Sequence, residues 1–301
     1  MVLLLVYAVL LGVPLCVAPV FSRILFHAPI ASKQAESRDV VFMYGDRVGR
    51  GLLLAIKSLR VNRCQARLVQ FTGDRRPVFP AGFVEDCRVE VMRDYGNPYD
   101  KPLVPHMVRF NFEAQWLRNH TGEVDRVLHT DSFDVVFQGD PFAGLIPSAS
   151  LLFALEPHAI RSCGWNLAWF TEVYGEEVKN RFQMDLIICS GTISGSAQMY
   201  LKLVELMVGQ REWEEHYGPS NDQPILNYLV WSGRVEEEGI AYGFAGCDSG
   251  FMTVQWCVIN HTPLYDTDDS ILSPVGEVPV YVHQYTRIKS LEKLLYSRYG
   301  V

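Results

Sequence analysis

Arg126-Val-Leu-His-Thr-Asp-Ser-Phe-Asp-Val-Val-Phe-Gln-Gly-Asp-Pro-Phe142 is the stretch on which the fold turns. Val127 and Leu128 begin a short strand-like run. Two carboxylates, Asp131 and Asp134, then arrive three residues apart before the chain turns apolar again at Val135-Val136-Phe137. Acidic residues at the carboxyl end of a buried strand stand where open α/β sheets bind ligands. Hard divalent cations that also hold a phosphate need oxygen donors of this kind. The same residues suit a plain turn, because Asp bonds its own backbone there. Taken alone, the stretch supports both readings.

Upstream, Val40–Met43 reads as a buried strand ending at Tyr44-Gly45-Asp46, and Leu52, Ile56 and Leu59 recur at helical spacing. Ala66–Phe71 and Val89–Met92 are two further strands. Pro105 opens a helix whose apolar stripe is Met107, Phe110, Ala114 and Leu117, with Arg109 on another face. Downstream, strands are expected at Leu151–Leu155, at Met184–Gly191 and at Pro279–His283. Helices are expected at Ala197–Val208, Ile225–Val230 and Ile288–Tyr296, and a loop at Trp213–Ser220. Strands alternating with helices predict an α/β fold with a mostly parallel central sheet flanked by helices.

The chain has 301 residues, a net charge of -7, and is 20% charged and 49% hydrophobic. That suits one sizeable domain and argues against a nucleic-acid partner, which calls for clustered Lys and Arg. Residues 1–22 carry no charge and are long enough to cross a bilayer as a signal anchor. Cleavage after Ala18 as a signal peptide is the other reading, and Pro19 opposes it. Residues 23–38 form a polar stem, and 39–301 the domain. Arg23, Lys33 and Arg38 favour a cytosolic flank, whereas the sequons Asn119-His-Thr121 and Asn260-His-Thr262 favour the secretory lumen. Beyond Cys16, six cysteines (Cys64, Cys87, Cys163, Cys189, Cys247 and Cys257) allow three disulfides or buried thiols, and none has zinc-site spacing. The expected location is the Golgi or ER membrane, single-pass type II with a lumenal domain.

Four polar features stand at strand ends or helix starts: the acidic turn, Ser190-Gly191-Thr192, Asn221-Asp222-Gln223, and His283 with Arg287 and Lys289. Gly191 between two hydroxyl residues would let a ligand approach the backbone; an ordinary turn fits equally. Asp222 also fits a helix cap, and His283 a satisfied core histidine. Together, in this order, they resemble the GT-A nucleotide-diphospho-sugar transferases, most nearly the glycogenin-like glycosyltransferases of family 8. The match runs through Arg109 on the preceding helix, the acidic turn, Asp140-Pro-Phe142, Cys189-Ser-Gly191, Asp222-Gln223, and His283 with Lys289 six positions on.

The resemblance implies a Rossmann-like GT-A fold and transfer of a sugar from a nucleotide-sugar donor to a glycan, protein or lipid acceptor in the secretory pathway. It implies Mn²⁺ or Mg²⁺ on Asp131, Asp134 and His283, and Arg109, Asp131, Ser190, Gly191, Arg287 and Lys289 around the nucleotide. Asp222 and Gln223 would be catalytic, positioning the sugar with retention of configuration. Two departures stand out: Asp131-Ser-Phe-Asp134 is one residue wider than Asp-x-Asp, and Thr286 replaces a Gly. A binding protein that performs no transfer and a nucleotide-sugar hydrolase are the competing classes.

Overall fold

Both faces of the first strand must be covered at once. In β1 (Asp39–Tyr44), Val40 and Phe42 pack into one core cluster and Val41 and Met43 into another. A strand buried on both sides reads as an unbroken apolar run, as this one does. The computed structural model describes residues 37–73, 77–93, 95–258 and 262–301. The expected anchor, most of the stem and the Asn260 sequon lie outside them. Among the described residues no helix is long and apolar enough to cross a membrane.

Helix α1 (Arg50–Val61) buries Leu52, Ile56 and Leu59 as expected, and leads to β2 (Arg67–Phe71) and β3 (Val89–Met92). Helix α2 (Pro105–Asn119) starts at its proline and buries its stripe, but also Arg109 and Glu113. It feeds β4 (Arg126–Thr130), then β5 (Val135–Phe137) and β6 (Leu151–Ala159). Helix α3 (Gly164–Phe182) kinks at Gly175. It is followed by β7 (Leu186–Ser196), α4 (Ala197–Val208) and α5 (Asp222–Trp231). After β8 (Tyr242–Ala245) and β9 (Phe251–Thr253), the small hairpin of β10 (Leu264–Tyr265) and β11 (Ile271–Leu272) precedes β12 (Tyr281–His283) and α6 (Lys289–Tyr299).

The central sheet has seven strands in the order β3-β2-β1-β4-β7-β6-β8. Its neighbours are parallel except at β7, which runs against both β4 and β6. This mostly parallel, helix-flanked sheet is compatible with a Rossmann-like fold. A second sheet, β5-β12-β9, sets His283 opposite Val135, the residue after Asp134.

Two expectations need correction, and the choice left open for the cysteines is decided. The strand expected to end at Gly191 runs on to Ser196, because residues 192–196 stay paired with β4 on one side and Ile193, Ser194 and Gly195 with β6 on the other. Trp213 lies in a short helix, Arg211–Glu215, and is fully buried rather than in a loop. Of the cysteines, Cys247 and Cys257 form a disulfide, whereas Cys64, Cys87, Cys163 and Cys189 are buried thiols.

Gly195 shows how tightly β7 is held. Its φ of 139° is one that side chains rarely adopt, and a Cβ there would collide with the Ser150 carbonyl just before β6. Gly195→Ala is expected to lose about 1–3 kcal/mol by overpacking, read as a lower urea midpoint; an unchanged midpoint would show that the ladder yields at no cost.

Candidate metal centre

Asp131 follows directly on β4, at the carboxyl end of the parallel half of the sheet. Its backbone N–H donates to the Gly191 carbonyl at 2.9 Å. A Cβ on Gly191 would occupy the space of the Asp131 carboxylate. The glycine therefore does make room for a close approach, but the group that approaches is this chain's own carboxylate. Ser190 and Thr192 are buried within β7 and not at a turn.

The wide spacing of the two carboxylates is absorbed by a short excursion between β4 and β5. Ser132 Oγ accepts from the Tyr44 N–H at 2.9 Å, tying the excursion to the end of β1. The Phe133 carbonyl accepts from Tyr285 Oη at 3.3 Å and lies over Gly51, where a Cβ would overlap it. Both neighbours are thus turned inward, and Asp131 and Asp134 face a common point.

His283 completes the group from β12. Its Nε2 lies 3.1 Å from Asp131 Oδ2 and 3.5 Å from Asp134 Oδ1. One donor atom from each residue lies within 4.8 Å of the others, a span that one ion can bridge. Nδ1 is directed the other way, 3.4 Å from Thr192 Oγ1 and 3.5 Å from Cys189 Sγ. Tyr281 Oη in turn joins Thr130 at 2.7 Å and Thr192 at 3.0 Å. Such a back layer fixes the ring so that Nε2 faces the carboxylates. The imidazole is 1% exposed, while the Asp131 and Asp134 side chains are 32% and 24% exposed, so the group opens to solvent on its carboxylate side.

Arg109 holds the other end. Its guanidinium bonds Asp131 Oδ1 through Nη1 and Asp222 Oδ2 through Nη2, the latter at 3.0 Å. Burial alone would raise the Asp131 carboxyl; the Arg109 charge and the His283 bond outweigh it and hold it well below the usual carboxylate range. Burial would likewise lower His283, yet the acidic groups around it, Tyr281, Cys189 and Asp134, with the bond to Asp131, raise it well above the usual imidazole range. Of the three carboxylates Asp131, Asp134 and Asp222, the Arg109 guanidinium binds only Asp131 and Asp222. With a neutral imidazole the cluster carries two excess negative charges, which a divalent cation would cancel. Two carboxylates and one imidazole form a mostly hard donor set that suits Mn²⁺, and Mg²⁺ less well.

The remaining expected residues divide. Asp222 does not cap α5: Asn221 precedes the helix, without a side-chain cap bond, and Asp222 in the first turn faces Arg109. Gln223 accepts from the Ser190 N–H at 3.2 Å and donates to Asn166 Oδ1 at 2.6 Å. Arg109, Ser190, Gly191, Asp222 and Gln223 therefore build the wall behind the carboxylates, their polar groups engaged mainly with one another. Lys289 is 82% exposed and pairs with Glu292 at 2.8 Å, and Arg287 is exposed in the turn after His283. Sequence reading missed Asn166, Asn227 and Glu156. Asn227 bonds both the N–H and the carbonyl of Ile188, each at 2.8 Å, and so replaces a strand neighbour from a helix. Only Glu156 carried a signal, since like Asp131 it follows directly on an apolar strand run.

Two outcomes test the centre. Gly191→Ala should abolish Mn²⁺ binding by displacing Asp131, measured by titration calorimetry; wild-type affinity would show that the carboxylate is not a ligand. A metal must displace the His283 proton. Because that proton is held more tightly than usual, Mn²⁺ affinity should fall as pH is lowered and keep rising above the ordinary imidazole range, about pH 6.5. A pH-independent affinity would remove the imidazole from the ligand set.

No family model and no curated protein matches this chain, so the geometry of the centre is what speaks to its chemistry.

Proposed function

We propose that the chain is a metal-dependent glycosyltransferase of GT-A architecture, moving a sugar from a nucleoside-diphosphate donor to a hydroxyl acceptor. The observation that carries this is the convergence of Asp131, Asp134 and His283 at the carboxyl end of β4. A cation held there would offset the charge that the leaving diphosphate gains as the glycosidic bond breaks. Asp131 and Asp134 would hold that cation through oxygens set by Arg109 and by the excursion at Ser132-Phe133. His283 would add a nitrogen already aimed by Thr192 and Cys189.

Asp222 is bound to Arg109 at 3.0 Å in a buried pair and is poorly disposed to act as a free nucleophile. Its role on this reading is to hold Arg109, and through it Asp131. Arg287, exposed beside the His283 turn, is the better placed cation for a phosphate, since Lys289 already has Glu292. A lumenal location on a type II membrane anchor belongs to the same reading, and the Asn119 sequon is exposed, as a glycan there requires.

The test is release of nucleoside diphosphate from a panel of nucleotide sugars, with Mn²⁺ and with chelator. Asp134→Asn keeps the shape and removes one charge. It should lower turnover by about 10²–10³-fold, with a smaller effect on donor binding. Equal turnover in both forms would show that Asp134 is no metal ligand in catalysis. Absence of release by folded, Mn²⁺-loaded wild type would leave a sugar- or nucleotide-binding protein in place of an enzyme.

A further inference from the structure

Helix α3 turns one face inward and another to solvent. Asn166, Phe170 and Val173 are buried, whereas Trp165, Ala168, Trp169 and Glu172 recur at helical spacing along its outer face. Trp165 is 71% exposed, and a Cβ on Gly164 beside it would meet nothing within 4 Å, so the space around it is open. Trp169 is half-buried, its ring centroid 6.2 Å from that of Trp165 and its plane tilted by 34°. The two indoles form one aromatic surface.

Hydrogen bonds fix this surface at the rim of the metal centre. Asp131 lies against Gly191, and the N–H of the preceding Ser190 donates to Gln223 at 3.2 Å. Gln223 Nε2 donates in turn to Asn166 Oδ1 at 2.6 Å, and Asn166 directly follows Trp165. Asn166 Nδ2 also bonds Cys163 Sγ at 3.3 Å, which holds the first turn of α3. Beyond Trp169, the exposed Glu172 accepts through Oε1 from Asn221 Nδ2 at 3.1 Å. Asn221 precedes Asp222, the partner of Arg109. Both ends of the aromatic face are therefore tied to the start of α5, which also holds Arg109.

A single exposed Trp is ordinary on a protein surface; this one is paired, and its helix is pinned to the wall of the centre. The charges around it decide what fits. Residues 164–178 include Glu172, Glu176 and Glu177 and no Lys or Arg. A nucleotide would stack on an indole, but its phosphates would meet those carboxylates. A membrane-binding helix carries Lys and Arg beside its aromatics, which this stretch lacks. A peptide docks by adding a strand to a sheet edge or by filling a groove, and one outer helix face offers neither. A pyranose is neutral, covers an indole with its apolar face and donates through its hydroxyls to an exposed carboxylate. The seven residues from Trp165 to Glu172 span about 10 Å of helix, a length that two linked pyranoses match.

We propose that Trp165, Trp169 and Glu172 form a binding subsite for a neutral glycan of at least two rings, stacked on the indoles with a hydroxyl donating to Glu172. That this glycan is the acceptor rests on the transferase reading; its binding does not.

The experiment is saturation-transfer NMR on the full chain with maltose, cellobiose, lactose and mannobiose, with Mn²⁺ affinity measured in parallel. At least one disaccharide should bind wild type, with the largest transfer to the C–H protons of one ring face. Trp165→Ala should weaken it about tenfold or more, equivalent to about 1.4 kcal/mol. Trp165→Phe, which keeps an aromatic face, and Glu172→Gln, which still accepts from Asn221, should each weaken it several-fold. Both side chains are exposed, so the urea midpoint and Mn²⁺ affinity should stay those of wild type in all three. Absence of disaccharide binding to wild type, or equal binding by Trp165→Ala, overturns the subsite. Trp165-dependent binding of phosphatidylcholine vesicles with no disaccharide binding overturns it too. Disaccharide binding without Mn²⁺ binding would support the subsite and refute the metal-dependent transferase. Mn²⁺ binding without disaccharide binding would refute the subsite and leave the metal centre standing.

Discussion

Arg109 is the group without which the rest of the centre has no defined shape. A buried guanidinium is tolerated only when paired, and removing one partner of such a pair commonly costs about 3–5 kcal/mol. Here the partners are Asp222, in the first turn of α5, and Asp131, just beyond β4. One side chain thus fixes the spacing of α2, α5 and the end of β4. It also takes up Asp131 Oδ1, which leaves Oδ2 turned towards His283 and Asp134. The bridge removes only one of the three negative charges, so the cluster keeps a surplus suited to a divalent cation.

The reversed strand and the small second sheet bring the remaining pieces to that point. Because β7 runs against β4, Gly191 comes to lie against Asp131, and only the absence of a side chain lets the carboxylate sit there. The pairing of β12 with β5 sets His283 opposite Val135 and beside Asp134. Ser132 and Phe133, anchored to β1, the 285–287 turn and Gly51, allow carboxylates three positions apart to face the same way. The departure from a tighter acidic spacing is therefore accommodated by packing.

Much of this was legible before any coordinates. Val40–Met43, Val89–Met92 and Ala197–Val208 follow from local apolar patterning, because burial on two faces or on one helical stripe leaves a periodic trace. Asp131, Asp134 and His283 stood out because each is a polar group at the end of an apolar run. The end of β7 did not, since Ser190-Gly191-Thr192 looks like a turn and the chain to Ser196 is kept extended by its two neighbours. Nor did the pairing of Cys247 with Cys257 among six cysteines.

The sequence by itself determined the order of strands and helices, the burial of the sheet on both faces and the supply of ligand-type side chains. Tertiary structure decided which charge meets which: that Arg109 binds Asp131 and Asp222, and that Lys289 stays with Glu292. The physical reason is range. Hydrophobic periodicity is written within a few neighbouring residues, whereas the partner of a buried charge comes from whichever distant strand or helix folding places alongside it.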